Sequence, residues 1–402
     1  MKKISILFNQ SLKLIQGINY VNNSFVMGGE YFKEYGLELS KIYAPDGVFD
    51  CKNQDHLTLI GSDIGTRAYR KKRIIREFLR EMFSSKYLLG AWIKLYFNHI
   101  RNGKKVIENF IKTDDDSDYL IFQDMESLFQ YCKRGLKNDR VKTLLILHCS
   151  NHPLEQMIPD FIGFFSHVKL KNRYIARCDE AMDAVDKVVY LSKHAVECSP
   201  LQSDKITCIF NGIEDLERVS VVPVHNPLQL VSVGSVNIHK GQHLIIEAVA
   251  LLNKEQRDKM HVTIVGGGNE YGLCKHLVEK NCLQDTITMT GPRNDVAEIL
   301  KEMDVFVLPS KSEGMPMSIL EAMRQGLYII STETGGIPEM IEPEYGELVT
   351  RDIKQLSTAI KSLVEDEKVT FETKLSSRKR YEDDFTLRKM IERYSHVLLS
   401  IK

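Results

Sequence analysis

A chain of 402 residues has room for two or three domains. Lysine plus arginine and aspartate plus glutamate stand at 54 each, so no net charge draws it to nucleic acid. Its eight cysteines stand singly, with no C-x-x-C pair and no Cys/His cluster, which argues against a metal site and for thiols kept reduced.

The first apolar run, Ile4 to Phe8, is too short for a secretory leader and ends in Asn9-Gln10, so it reads as a β-strand spanning Lys3 to Phe8. No later stretch approaches the ~20 apolar residues that cross a bilayer. A helical pattern runs from Ile18 to Tyr35 and stops at Gly36, with Gly28-Gly29 as a place for it to break. Leu37 to Tyr43 is the second strand.

Residues 67–105 combine a basic face with an aromatic-rich apolar face. Arg67, Arg70, Arg73, Arg76 and Arg80 alternate with Ile74, Phe78 and Met82, and Tyr87, Trp92, Tyr96 and Phe97 follow. Apolar positions recur at helical spacing. Two readings stand: an amphipathic helix lying on an anionic membrane surface, or a helix packed on the sheet with a solvated basic face. No nucleic-acid motif accompanies the charge.

Strands are predicted at Tyr119 to Phe122 and Thr143 to Leu147, the second ending on His148. A histidine at the carboxyl end of a parallel strand stands where α/β sheets bind ligands. Val185 to Ser192 and Asp204 to Ile213 follow, the latter closing on the turn dipeptide Asn211-Gly212. Residues 214–227, with two prolines, read as a linker. A second run of alternating strands and helices begins at Leu228, with Gly234 to Gly241, the triple glycine 266–268 and Gly291-Pro292-Arg293 in its loops. The triple glycine lacks the spacing and trailing acid of a dinucleotide fingerprint.

The densest stretch is Val305 to Glu339. A buried strand, Val305 to Leu308, leads into a polar loop carrying Glu313 and Gly314. A helix from Met317 through Met323 and a strand from Tyr328 to Ser331 follow, then a Gly335-Gly336-Ile337-Pro338-Glu339 loop. Free N–H groups at such a helix start attract phosphate.

In its order, Pro309-Ser310, Glu313-Gly314, Pro316, Glu321-Ala322-Met323, Gly326 and Gly335-Gly336-Ile337-Pro338-Glu339 resembles the retaining glycosyltransferases of family four (group 1), of the type that builds bacterial cell-surface polysaccharide. The resemblance implies an α/β chain of GT-B fold, two Rossmann-like doubly wound domains facing a cleft. Residues 1–218 would form the acceptor domain and 219–384 the nucleotide-sugar domain, with a terminal helix, 385–402, crossing back to the first.

The resemblance also implies roles. His148 and Glu313 are the expected catalytic residues, close to the transferred sugar. Donor binding is expected of Gly17, in the loop after the first strand, and of Gly234, Ser235 and Lys240, the counterpart of a G-R-L-x-x-x-K-G pattern. Ser235 stands where that pattern has an arginine, so one of two diphosphate cations is missing, and His239 and Arg293 are candidate substitutes. Gly314, Met315, Pro316, Met317, Ser318 and Ile319 offer backbone groups, and Glu321 is expected to hold the ribose. No Asp-x-Asp stands beside the donor loop, and Asp114-Asp115-Asp116 lies in the other domain, so neither a metal nor a cofactor is expected.

The implied activity is transfer of a hexosyl residue from a nucleotide sugar, taken as UDP-linked, to a lipid-linked or glycan acceptor. The leaving phosphate would take the acceptor proton on the front face. The expected location is the cytoplasm, peripheral on the inner face of the plasma membrane if residues 67–105 touch it. Two other readings remain: a non-catalytic nucleotide-sugar-binding partner subunit, and a nucleotide-sugar epimerase of the same fold.

Overall fold

A computed structural model describes residues 1–10, 24–51, 88–113, 115–148, 165–199, 201, 204–216 and 221–401. Gly17 and residues 67–87 of the basic stretch lie outside these. The described chain forms two units. The first holds Met1–Leu191, Ala195–Ile209 and Ile391–Lys402, the second Ser192–His194 and Phe210–Met390.

The strands of the first unit are β1 (Lys2–Leu7), β2 (Leu37–Ala44), β3 (Gly47–Asp50), β4 (Tyr119–Phe122), β5 (Lys142–Leu147), β6 (Lys187–Tyr190) and β7 (Ile206–Cys208), lying in the order β3-β2-β1-β4-β5-β6-β7. All neighbours are parallel except β2 and β3. The hairpin strand β3 was not legible in the sequence, where a single glycine and three alternating residues leave little pattern.

The helices of this unit are α1 (Gly29–Lys33), α2 (Leu88–Leu95), α3 (Arg101–Lys112), α4 (Met125–Lys133) and α5 (Val168–Ala184), with α6 (Lys193–Glu197) shared, its first two residues belonging to the second unit. A π-helical turn, Tyr96–Ile100, joins α2 to α3, so the described part of the basic stretch is helical and continues beyond residue 105. The helical pattern before Gly36 does break, with a turn at Gly28. A Cβ there would lie 2.6 Å from Cγ1 of Ile391, so the glycine admits the last helix of the chain. Phe25 and Tyr394 pack edge-on across the same contact at 4.9 Å.

In the second unit β8 (Leu228–Val233), β9 (Met260–Val265), β10 (Ile287–Gly291), β11 (Val305–Leu308), β12 (Tyr328–Thr332) and β13 (Gly346–Val349) form an all-parallel sheet in the order β10-β9-β8-β11-β12-β13. Counted from β8 this is the 3-2-1-4-5-6 order of a Rossmann sheet. The near-continuous apolar strands Val305–Leu308 and Tyr328–Thr332 are wholly buried, as strands covered on both faces must be.

The helices of this unit are α7 (Gln242–Ala250), α8 (Lys254–Asp258), α9 (Tyr271–Lys280), α10 (Val296–Lys301), α11 (Met317–Arg324), α12 (Ile353–Glu365) and α13 (Phe371–Asp384), and α14 (Leu387–Ser400) passes from this unit into the first. Helix α13 had no sequence prediction, because its polar residues outnumber its apolar ones. It is fastened by a fully buried ion pair, Lys374 Nζ to Asp304 Oδ1 at 2.9 Å. Asp304 also accepts from Gln229 N at 2.9 Å and pairs with His225 Nδ1 at 3.0 Å. A buried carboxylate is tolerated only with partners of this kind.

Candidate active site

Strands β8 and β11 are neighbours from which the chain departs in opposite directions along the sheet. The crevice beyond their carboxyl ends is the topological switch point, where such sheets bind ligands. The loop after β8 delivers Lys240 there, and the loop after β11 delivers Glu313. Lys240 Nζ donates to Glu313 Oε1 at 2.6 Å, and Ser310 Oγ donates to the same oxygen at 2.7 Å.

The β8 loop is held by local and long-range bonds. Asn237 Oδ1 accepts from the backbone N–H groups of His239 and Lys240 at 3.0 and 2.9 Å, the turn geometry that asparagine favours. Buried Gln242 donates from Nε2 to the carbonyl of Ser235 at 3.3 Å. Arg351, which sequence reasoning missed, donates from Nη2 to Ile238 O at 2.6 Å and from Nε to Pro309 O at 3.2 Å. It thereby ties the Lys240 loop to the Glu313 loop.

Two glycines here have no alternative. Gly266 has φ +138°, and a Cβ on it would lie 1.9 Å from Gly234 O. Gly241 has φ +76°, with Pro309 O at 2.4 Å from such a Cβ. The triple glycine is therefore a packing device that lets the loop after β9 lie against the loop after β8.

The β11 loop is braced from β12. Ser331 Oγ donates to Leu308 O at 2.7 Å, and Gly336 N donates to Gly314 O at 3.0 Å. Glu339, the end of the second motif, accepts from Lys193 N and His194 N, both at 2.8 Å. Met315 is buried, and its carbonyl accepts from Asn211 Nδ2 at 3.4 Å. Pro316 precedes α11 with no side-chain cap. The N–H groups of Met317 and Ser318 have no protein partner among the described residues. That of Ile319, expected to be open, donates to Pro316 O at 3.1 Å, because the first turn is tight. Glu321 is half-buried on the same helix.

Arg293 does not join this group. It follows β10, is exposed and donates to Asp295 from Nε at 2.7 Å. His239 is exposed, and its carbonyl accepts from Lys311 N at 2.7 Å.

His148 belongs to the first unit. It follows β5, and its Nε2 lies 2.6 Å from Gln123 Oε1, at the end of neighbouring β4. Burial pushes its pKa down to about 4, so the ring is neutral at physiological pH. Beside it Asp124 caps α4 through Ser127 N at 2.8 Å and binds Asn9 N at 2.9 Å. Burial raises the Asp124 carboxyl to about 6. Gln123 and Asp124 escaped sequence reasoning, since a Gln-Asp pair after a strand has no distinctive spacing. Among the described residues no three or more His, Cys, Asp or Glu side chains group as a metal site.

Residues 214–381 match the family model described as glycosyl transferases group 1. The chain is related to that family. It is 30% identical over 208 residues to the amylovoran biosynthesis glycosyltransferase AmsK of Erwinia amylovora, spanning 48% of this chain and 51% of that one. It is 31% identical over 168 residues to the N,N'-diacetylbacillosaminyl-diphospho-undecaprenol alpha-1,3-N-acetylgalactosaminyltransferase of Campylobacter jejuni, spanning 40% of this chain and 43% of that one. The chain thus aligns with about half or less of the length of these curated relatives. The crystal structure of Anabaena Alr3699/HepE in complex with UDP-glucose superposes over 100% of both chains with a TM-score of 0.68 at 16% identity. The fold is GT-B.

Proposed function

We propose that the protein is a retaining glycosyltransferase that moves a hexosyl residue from a UDP-sugar to a lipid-linked or glycan acceptor in the assembly of cell-surface polysaccharide. The observation that carries this reading is the Lys240–Glu313 pair at the switch point, beside the uncapped start of α11. Departure of a nucleoside diphosphate needs positive charge aimed at the β-phosphate. Lys240 and the N–H groups of Met317 and Ser318 supply it in this proposal, without a metal ion. Glu313 orients the sugar, and Glu321 accepts from the ribose hydroxyls. The resemblance assigns neutral His148 to the sugar as a hydrogen-bond partner. Donor contacts from Gly234, Ser235 and the backbone of Gly314 to Pro316 complete the reading.

The UDP-glucose held by the solved relative supports uridine, and the undecaprenol diphosphate in the name of the Campylobacter relative supports a lipid-linked acceptor. Among the described residues no helix is long and apolar enough to cross a membrane. Exposed Trp92 and Phe97 beside Arg101 and Lys104 support contact with an anionic membrane from the cytoplasmic side.

Thermal unfolding with UDP, GDP and ADP, repeated in Glu321→Ala, tests the donor site. A ligand at about a hundred times its Kd adds about 2.7 kcal/mol. A shift with UDP alone that the variant loses supports the reading. Equal silence with all three nucleotides would move the weight to a non-catalytic partner subunit. Transfer with the anomeric configuration of the product read by NMR then tests retention.

A further inference from the structure

Away from both strand-end crevices, a cavity of about 270 Å³ opens among α3, α4 and α5 of the first unit. Next to it α3 and α4 make a close contact. A Cβ on Gly103 would lie 2.7 Å from Cγ of Glu126, so only glycine lets α3 come this near α4. Glu126 is buried there, accepting from Gln130 Nε2 at 2.7 Å with Arg177 Nη2 at 3.6 Å. The Arg177 guanidinium lies over the Phe129 ring, 3.5 Å from its centroid, and its buried Nε has no hydrogen-bond partner.

Three further cations line the walls: Lys104, Lys133 and Arg173. None of them forms an ion pair among the described residues. Four cations converging on one buried carboxylate repel one another unless an anion joins them. An arginine stacked on an aromatic ring, its Nη groups making no hydrogen bond among the described residues, is pre-organised for an oxyanion.

We propose that this cavity binds a phosphate-type anion, a phosphate or diphosphate group, with Arg177 as its fixed donor and Lys104, Lys133 and Arg173 closing around it. A tetrahedral or linked tetrahedral anion offers enough oxygens for four separated cations, which a single carboxylate does not. The group belongs either to a soluble phosphorylated molecule or to the head of an anionic lipid. The inference stands on the first unit alone and does not depend on the donor site.

The test compares the unsubstituted protein, the Lys133→Gln/Arg173→Gln double variant and Lys240→Gln. Both changed residues of the double variant are exposed, so it keeps the fold. Pyrophosphate binding is read by calorimetry, and vesicle binding by flotation with phosphatidylglycerol against phosphatidylcholine. A pyrophosphate site that survives Lys240→Gln and weakens about tenfold or more in the double variant establishes a soluble ligand. Phosphatidylglycerol binding that weakens by the same factor in the double variant, with phosphatidylcholine inert, establishes a lipid headgroup. Arg173→Lys, keeping the charge without the fork, weakens either less. Binding of both probes that the double substitution leaves unchanged, or no binding of either, overturns the proposal.

Discussion

Lys240 Nζ and Glu313 Oε1 stand 2.6 Å apart, so the cation assigned to the donor diphosphate is already held by the carboxylate assigned to the sugar. An incoming diphosphate must share that ammonium with Glu313 or take it over. The pair is therefore a competition as well as a constellation.

Glu313→Gln removes the competitor while keeping its shape. UDP then binds severalfold more tightly, because a neutral amide neither holds Lys240 nor repels phosphate. Transfer falls about a hundredfold or more, as when one preorganised group is lost from a reacting centre. Calorimetry and a labelled-sugar transfer assay separate the two effects. Equal loss of both would mean that Glu313 serves only to place Lys240.

Ser235→Arg supplies the cation missing from the β8 loop. One charge-assisted hydrogen bond contributes about 1.5–3 kcal/mol, so UDP affinity rises about tenfold. Unchanged affinity would show that the loop, tied through Ser235 O to Gln242, does not aim residue 235 at the phosphates.

Acid titration separates two neighbours in the first unit. His148 falls from an ordinary 6.5 to about 4, so the unfolded chain takes a proton that the native ring refuses. The stability of its neutral burial is full above about 6.5 and is lost as pH drops toward 4. Asp124 rises from 3.8 to about 6 and works the other way, its contribution present at low pH and lost as pH climbs to 6. Each slope integrates to about 3 kcal/mol. Between pH 6.5 and 4, Asp124→Asn therefore loses stability more steeply than the unsubstituted protein, and His148→Gln less steeply. Urea unfolding across that range reads it, and parallel curves for the two variants would sink it.

Gly266→Ala and Gly272→Ala differ in sign. At 266 a Cβ meets Gly234 O at 1.9 Å on a backbone with φ +138°, and the change costs about 3 kcal/mol or more. At 272, in the first turn of α9, no atom lies within 4 Å, and alanine stabilises by about 0.5–1 kcal/mol. Denaturant midpoints check both. The Gly266 change also displaces the Lys240 loop, so UDP binding falls with stability there and not at Gly272.

The motif from Pro309 to Glu339 was readable because strand, loop and helix each follow from local pattern, and the strand Val305–Leu308 fell where apolar spacing put it. Partners remote in sequence were not readable. Arg351 reaches Ile238 and Pro309 from beyond the last strand of its sheet, and nothing in its neighbours marks it. Glu339 stood out only as the end of a motif, and its carboxylate is taken by the N–H groups of Lys193 and His194. Arg293 was a candidate cation by position, but Asp295, two residues on, claims it. Spacing tells which residues share an element. It does not tell which distant carbonyl or carboxylate will use them up.

The backbone changes unit after Leu191, after His194, after Ile209 and after Met390. No single cut, in a gene or by a protease, yields two whole halves. A fragment ending near residue 209 lacks Tyr394 and Ile391, leaving Phe25 and the turn at Gly28 without their covering. A second half begun at 210 lacks the N–H groups that hold Glu339. Swapping either half for that of a relative is then an exchange of several segments, and grafts made at one junction carry a seam of mismatched contacts into both cores.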